Sequence, residues 1–95
     1  MWEFIESQPF TRKLHRLAGA SAYGVLRAIQ GDLERNPERG KGKRGGYRYL
    51  YLYLETRRHI HLLLLLDKNE QEDASEEQRQ QIRQWVAQVK RDEGD

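Results

Sequence analysis

Residues 40–55, GKGKRGGYRYLYLYLE, join a glycine-rich basic segment directly to a run of alternating Tyr and Leu. Successive side chains of a β-strand point to opposite faces of the sheet. In such a strand Arg48 shares one face with three leucines, and the other face carries Tyr47, Tyr49, Tyr51 and Tyr53. Since both faces are largely apolar, the pattern predicts a strand that is covered on both sides.

A second strand is predicted directly after the first, because residues 59–66 read HIHLLLLL and follow an Arg57-Arg58 turn. In an antiparallel hairpin, the start of one strand lies beside the end of its partner. We therefore expect Arg48 and Lys68 to be near neighbours at one end of the sheet. The glycine-rich residues 40–46 are expected to form a flexible loop in front of the hairpin.

The region before the hairpin predicts a short strand and two helices. Residues 2–6 partly alternate and are followed by Ser7 and Pro9, which end a strand. Two stripes at helical spacing come next, and the second helix ends before Pro37, because proline disfavours the α region for the preceding residue. The stripes are Phe10, Leu14, Leu17 and Ala18 in the first helix and Val25, Leu26, Ile29 and Leu33 in the second.

The C-terminal region predicts one more helix. Ser75 and Gln78 fit the capping-box pattern. An apolar stripe follows at Ile82, Trp85, Val86 and Val89. Together these elements predict one α+β domain over residues 1–95, in which two N-terminal helices pack on one face of a small antiparallel sheet and a C-terminal helix lies beside it.

Composition excludes several kinds of site. The 95 residues include no cysteine, which removes disulfides, thiolate zinc sites and cysteine nucleophiles. The longest apolar run, residues 62–66, is far too short to span a bilayer, which takes about 20 residues. The first residues lack the basic start and apolar core of a signal peptide. We therefore expect a cytoplasmic protein without a membrane segment.

The net charge is only +2, but the charges are segregated along the chain. Residues 39–48 contain five cations and no acid, whereas residues 67–77 contain six acids and one cation. Such a basic block suits a phosphate backbone, because each Lys or Arg can replace a condensed counterion. A solvated loop explains the same composition equally well. The five cations are Arg39, Lys41, Lys43, Arg44 and Arg48.

The sequence contains no recognisable motif for a metal, a nucleotide or a catalytic triad. His15 lies in a predicted helix, and His59 and His61 lie two apart on a strand with no third ligand nearby in the sequence. We interpret all three as surface or hydrogen-bonded histidines and predict no metal site. The Gly40-x-Gly42 run precedes a strand, whereas a nucleotide phosphate loop follows a strand and opens a helix, so no cofactor is expected.

Several motifs, in their order along the chain, resemble those of the RelE/HigB toxin family of bacterial type II toxin–antitoxin systems. The likeness extends over nearly the whole chain and includes Phe10-Thr11-Arg12 and the helix from Tyr23 to Leu33. The motifs are NPERG at residues 36–40, GKGKRGGYR at 40–48, LLLDKNE at 64–70 and a capped terminal helix.

The resemblance implies a RelE-like fold and an mRNA interferase, which is an endoribonuclease that enters the ribosomal A site and inhibits translation. Cleavage in this family needs no metal, because the 2′-hydroxyl of the message attacks the adjacent phosphate. The implied partners are the ribosome, mRNA and a cognate antitoxin that carries a DNA-binding domain.

By position, the resemblance also assigns roles to five cations. Arg48 is the transition-state stabiliser, and Lys68 is the second catalytic candidate, which binds phosphate. Lys41, Lys43 and Arg44 grip the RNA backbone, where contacts set affinity and register more than sequence. No general base is assigned.

The chain departs from the family pattern in two places. Relatives of the HigB type carry an extra basic segment before the Gly-Lys loop, whereas here Gly40 runs directly into Lys41. One strand is therefore predicted to be missing, which would expose a Tyr- and Leu-rich sheet edge to a partner chain or to homodimerisation. The family's Tyr two residues before Lys68 is replaced by Leu66.

Two other functions are compatible with the same residues. A shortened, inactive family member would act as an antitoxin-binding or dimerising module, in which the hairpin edge only docks a partner. A stacking platform for RNA bases would instead use the tyrosine face of residues 47–53. An aromatic row on a central strand more often packs against helices, which makes the stacking platform the weaker alternative.

Overall fold

One four-stranded sheet with helices on both faces makes up the computed structural model, which describes residues 2–37 and 40–93. Glu38 and Arg39, which belong to the predicted motif and basic block, lie outside the described residues. Within the described part of the chain, no helix is long and apolar enough to cross a membrane. In chain order the elements are β1 (Glu3–Glu6), α1 (Gln8–Ala18), a 3₁₀ turn (Gly19–Ser21), α2 (Ala22–Arg35), β2 (Lys41–Arg44), β3 (Tyr47–Leu54), β4 (His59–Asp67) and α3 (Glu76–Glu93).

The strands are arranged in the order β1-β4-β3-β2. β3 and β4 form the predicted antiparallel hairpin, with Leu54 opposite His59 across the turn at residues 55–58. β1 pairs in parallel with β4, which makes the predicted antiparallel sheet a mixed one. Parallel neighbours need a long crossover connection, and the chain from α1 to β3 supplies it.

A β-bulge in β4 keeps the apolar side chains of the hairpin on two consistent faces. Leu50 pairs with Leu64, but the next residue of β3 pairs with Leu62, so Leu63 is the extra residue. As a result, Leu62 and Leu65 belong to the same apolar cluster although they are three positions apart.

The sheet separates two apolar clusters. The tyrosine face packs against α1 and α2, as the helical stripes predicted, and the other face packs against α3 through Ile82. Because Tyr49 and Tyr51 are only 3% and 5% exposed, this face is core and not a platform for stacked bases. The larger cluster contains Phe10, Leu14, Ala22, Ile29, Leu33, Tyr49, Tyr51, Ile60, Leu62 and Leu65, and the smaller one is built on Leu64, Leu66 and Ala74.

The basic segment before β3 is a strand and not the predicted flexible loop. β2 pairs antiparallel with β3, from Lys41 opposite Leu50 to Arg44 opposite Tyr47. The predictions that a strand is missing and that the β3 edge is exposed are therefore wrong. β2 is itself an edge strand, and its Lys and Arg side chains are of the kind that discourages edge-to-edge pairing.

Glycine allows the tight connection between β2 and β3. The pairing leaves only Gly45 and Gly46 between the two strands, and Gly45 has a φ of 59°. A two-residue type II′ turn requires a positive φ at this first loop position, which glycine adopts without strain. The glycines of the segment therefore favour a hairpin.

Gly42 is the position of β2 where the core leaves no room for a side chain. It pairs with Tyr49, whose ring lies so close that an added Cβ would overlap it. We expect Gly42→Ala to lower the free energy of unfolding by about 1–3 kcal/mol, the usual scale for overpacking, because the buried Tyr49 ring would have to move. Urea denaturation followed by circular dichroism measures this change.

Gly31→Ala is the matched control for Gly42→Ala. Gly31 lies in α2, where an added Cβ would meet no atom within 4 Å. Alanine is favoured over glycine in a helix by about 1 kcal/mol, so this variant should be more stable than the wild type. Loss of stability in both variants, or in neither, would contradict the contact assigned to Gly42.

The predicted capping box is present at the start of α3. The Ser75 hydroxyl oxygen accepts a hydrogen bond from the backbone N–H of Gln78 at 3.1 Å, and the Gln78 side-chain oxygen accepts one from the Ser75 N–H at 2.9 Å. These bonds satisfy two backbone donors that the helix itself leaves unpaired.

Candidate functional site

A cavity of about 400 Å³ opens beside the first residues of β3. Cations from β2 and β3 line it together with apolar side chains from β3 and β4. The lining residues are Lys41, Gly42, Lys43, Arg48, Tyr49, Leu50, Leu66 and Asp73. Three cations around one concave surface make this cavity a candidate for an anion-binding site.

The register of β2 explains why three of the predicted cations meet at this cavity. Residues opposite each other on neighbouring strands share a face of the sheet. Lys41 pairs with Leu50, and Lys43 pairs with Arg48. Both lysines therefore lie on the Arg48 face of the sheet, which is also the face that α3 covers.

Arg44 lies on the opposite face of the sheet. It pairs with Tyr47, and its guanidinium is 3.5 Å from the Asp32 carboxylate of α2. The resemblance grouped Arg44 with Lys41 and Lys43 as one RNA-binding set. Arg44 does not line the cavity beside Arg48, but together with Lys41 and Lys43 it borders a second cavity of about 450 Å³ next to Asp32.

Lys68 lies at the same end of the sheet as Arg48, as the hairpin predicted, but it is not one of the residues that line the cavity. Its backbone N–H donates to the carbonyl of Gly46 at 2.9 Å, which places it beside the β2–β3 turn. Its side chain is exposed. The position that carries a Tyr in the family is Leu66, which contributes to the cavity wall instead.

Arg48 is half-buried, and a segment after β4 holds its guanidinium. Its Nη1 donates to the backbone carbonyl of Glu72 at 3.0 Å. Its Nε is buried and has no hydrogen-bond partner among the described residues. An unpaired buried donor costs about 1–3 kcal/mol, and such exceptions in native proteins are often found at functional sites.

An acid that the sequence analysis did not assign to the site forms part of the cavity wall. The Asp73 carboxylate accepts hydrogen bonds from the Ala74 N–H at 2.8 Å and from Arg79 at 2.7 Å. The Ala74 bond first, then the charges of Arg79, Lys41 and Arg48, lower the pKa of Asp73 below its usual value. Asp73 is therefore ionised at neutral pH and offsets part of the positive charge around the cavity.

Tyr49 borders the cavity, but its side chain belongs to the opposite face of β3, in the apolar cluster with α1 and α2. Burial first, then the charge of Asp32, raises the pKa of Tyr49 to about 12. At neutral pH its hydroxyl is therefore protonated, and the ring forms part of the core.

A second polar cluster lies on the same face of the sheet, at its other end. Glu93 of α3 approaches two histidines of β4, with 2.5 Å between its Oε1 and His59 Nδ1 and 2.7 Å between its Oε2 and His61 Nε2. Burial alone would raise the pKa of Glu93, but the hydrogen bonds from both histidines outweigh it and lower the pKa. The sequence analysis saw only the two histidines, because Glu93 is 32 residues away from His61 along the chain.

No protein-family model and no curated protein sequence matches this chain. Solved structures do match it. A chain of the RelBE2 toxin–antitoxin complex from Mycobacterium tuberculosis is 23% identical, with a TM-score of 0.58 over 70% of this chain and 96% of that one. A mutant of the E. coli toxin RelE in the free state is 11% identical, with a TM-score of 0.55 over 75% of this chain and 87% of that one.

At these sequence identities the comparisons establish the fold. The chain has the RelE fold, and the RelE-like α+β architecture predicted from the sequence is confirmed. Fold alone does not determine an activity, which has to be argued from the cavity and its side chains.

Proposed function

We propose that this protein is the toxin of a bacterial type II toxin–antitoxin module and that it cleaves mRNA on the ribosome, which stops translation. The convergence of Lys41, Lys43 and Arg48 at one cavity carries the proposal, because such a cluster attracts a polyanion. The RelE fold supports the same conclusion at the level of the fold.

The proposed reaction needs no metal. The 2′-oxygen of one nucleotide attacks the adjacent phosphorus, and the bond from that phosphorus to the 5′-oxygen of the next nucleotide breaks. The 2′-hydroxyl gives up its proton and the leaving 5′-oxygen gains one, so the products are a 2′,3′-cyclic phosphate and a 5′-hydroxyl. The transition state carries more negative charge on phosphate oxygens than the substrate does, and a fixed cation therefore lowers its energy.

The positions of the cations indicate a different role for each of them. Arg48 lies in the cavity on a central strand and stabilises the charge that develops at the reacting phosphate. Lys41 and Lys43 lie on the neighbouring edge strand and hold adjacent phosphates of the RNA backbone. Lys68, on the exposed surface beside the β2–β3 turn, binds a phosphate outside the cavity.

Partners and location follow from the proposed activity. The RelBE2 structure is a toxin–antitoxin complex. By analogy, we propose that this chain binds an antitoxin that carries a DNA-binding domain. Cleavage at the ribosomal A site places the protein in the cytoplasm. Homodimerisation through a sheet edge stays a prediction, and the edge strands of the sheet are β1 and β2, not β3.

Incubation of the purified protein with translating ribosomes and a defined message tests the proposal. We expect discrete cleavage products, each with a new 5′-hydroxyl end that maps to the codon in the A site. An antitoxin that copurifies with a protein unable to cut message would favour the alternative of an inactive binding module.

Lys43→Ala and Arg44→Ala remove one positive charge each from adjacent positions on opposite faces of β2. We expect Lys43→Ala to weaken binding of single-stranded RNA and to reduce the slope of log K against log salt by about 0.7, the value for one phosphate contact. Arg44→Ala should leave the slope close to the wild-type value, because its guanidinium lies beside Asp32. Fluorescence anisotropy at a series of salt concentrations measures both slopes, and equal changes in the two variants would contradict the assignment of faces.

A further inference from the structure

We propose that His59, His61 and Glu93 form a binding site for Zn²⁺. The three side chains could hold a metal ion, since one ligand atom from each lies within 4.8 Å of the others. The site is independent of the proposed ribonuclease activity. Along β4 it lies roughly 20 Å from Leu66, which lines the cation-rich cavity, at about 3.3 Å per residue.

The fold brings these three side chains together from distant parts of the chain. His59 and His61 are two positions apart on β4, so both rings lie on the face that α3 covers. Glu93 lies at the C-terminal end of α3 and spans the two rings, with one carboxylate oxygen directed at each. The backbone carbonyl of Glu93 also accepts a hydrogen bond from Arg57 Nε at 2.7 Å, which fixes the end of the helix over the strand.

The ligand types select zinc over the common alkaline-earth ions. Zn²⁺ is bound by imidazole nitrogen and carboxylate oxygen at about 2.0–2.2 Å, and two His with one Glu is a known ligand set that leaves a fourth position for water. Mg²⁺ and Ca²⁺ prefer sites made of oxygen ligands. In the present arrangement, hydrogen-bond protons lie between the carboxylate and the rings, and the metal would replace them.

The environment of the two rings is compatible with metal binding. His61 is 5% exposed, and its Nδ1 has no partner among the described residues. Its Nε2 faces Glu93 and is the nitrogen that would bind the metal, which leaves the ring proton on Nδ1. The Nε2 of His59, which stays free when Nδ1 binds the metal, lies 3.8 Å from the Glu3 carboxylate, beyond hydrogen-bond distance.

Zinc at this site would join the end of α3 to β4 and should stabilise the folded protein. A ligand that binds only the folded state stabilises that state. At a free ligand concentration of one hundred times the dissociation constant, this stabilisation raises the Tm of a domain of this size by about 10 °C or more. Differential scanning calorimetry of the full chain with Zn²⁺ and with Mg²⁺ measures the effect, and Mg²⁺ should leave Tm unchanged.

Competition with a chromogenic zinc chelator measures the affinity directly. We expect the wild-type protein to bind one Zn²⁺ with a micromolar or lower dissociation constant. His61→Ala and Glu93→Gln should each weaken binding by at least the roughly tenfold to hundredfold that loss of an outer-shell partner costs. His15→Ala is the matched control, because His15 is an exposed histidine on α1, and it should bind Zn²⁺ as the wild type does.

Co²⁺ substitution provides a readout that does not depend on stability. Bound Co²⁺ should give the visible absorption of a four- or five-coordinate ion in the wild type and in His15→Ala, and should not do so in Glu93→Gln. Circular dichroism without metal verifies that each variant is folded, and His59→Ala, at the more exposed ring, replaces any variant that is not. Absence of micromolar zinc binding, or equal affinities in His15→Ala and in the folded ligand variants, would overturn the proposal.

Discussion

Arg48→Ala is expected to reduce ribosome-dependent cleavage of mRNA about a hundredfold or more, the scale for one preorganised electrostatic donor, with little loss of ribosome binding. Arg48 suits this role because it lies on β3, which has a strand on each side, and because the Glu72 carbonyl holds its Nη1 at 3.0 Å. A cation that is fixed before the reaction stabilises developing charge without having to reorganise.

Single-turnover cleavage at saturating ribosome concentration separates the chemical step from binding. Arg48→Lys keeps the charge but loses the planar guanidinium fork, so it should recover only part of the rate. Arg91→Ala, which removes a cation from the last turn of α3, is the matched control and should cut at the wild-type rate. An Arg48→Ala protein that cuts normally would remove the catalytic role, and a wild type that never cuts would favour the inactive binding module.

The central hairpin and the helices were predictable because each one repeats its signal several times. The alternation of Tyr and Leu from Tyr47 to Leu54 determines which side chains lie on each face of β3. The apolar stripes of α1 and α2 pack with the tyrosine face of β3 in one apolar cluster. The Ser75 and Gln78 capping box marks the start of α3 within one residue. Local patterns of this kind depend on few distant contacts.

β2 was not predictable from its own residues. Lys-Gly-Lys-Arg has no apolar alternation, and glycine and lysine are depleted in strands. The segment is extended because β3 offers it a row of backbone partners and because Gly45 and Gly46 return the chain at the required angle. The conformation of such an edge strand depends on its pairing with the neighbouring strand. The sequence of the segment alone therefore predicts only a polar loop.

The strand conformation of β2 also changes how the predicted RNA-binding cations are arranged. A flexible loop would allow Lys41, Lys43 and Arg44 to approach one ligand together, whereas a strand directs alternate side chains to opposite faces. Lys43 therefore joins Arg48, and Arg44 is directed towards Asp32. Asp73 and Glu93 were not predicted for another reason. The loop and the helix that carry them contact the sheet only in the folded chain, and no local sequence pattern indicates those contacts.

The parallel pairing of β1 and the bulge of β4 also depend on distant contacts. Ser7, which the sequence analysis treated only as the end of a strand, connects them. Its hydroxyl caps α1 by accepting the Phe10 N–H at 3.1 Å and donates to the carbonyl of Leu63, the extra residue of the bulge, at 2.9 Å. Ser7 is 3% exposed, so no bulk water would take the place of these bonds.

Ser7→Ala should therefore be one of the most destabilising single substitutions in the protein. Loss of an N-cap costs about 0.5–2 kcal/mol. The unpaired carbonyl of Leu63 adds about 1–3 kcal/mol, since it stays buried. We expect a decrease of about 2–4 kcal/mol in the free energy of unfolding, which is a large part of the roughly 5–15 kcal/mol that holds a domain folded. Urea denaturation at neutral pH measures this decrease.

Ser21→Ala is the control that isolates the contribution of the hydroxyl group. Ser21 occupies the N-cap position of α2, but it is exposed and its side chain makes no capping hydrogen bond. The same chemical change should therefore alter the stability by less than about 0.5 kcal/mol, as for most surface substitutions. If the two alanine variants unfold at the same urea concentration, the buried bond from Ser7 to Leu63 does not stabilise the junction of β1, α1 and β4. A loss confined to Ser7→Ala would show that one hydroxyl holds the first helix to the bulge of the central strand.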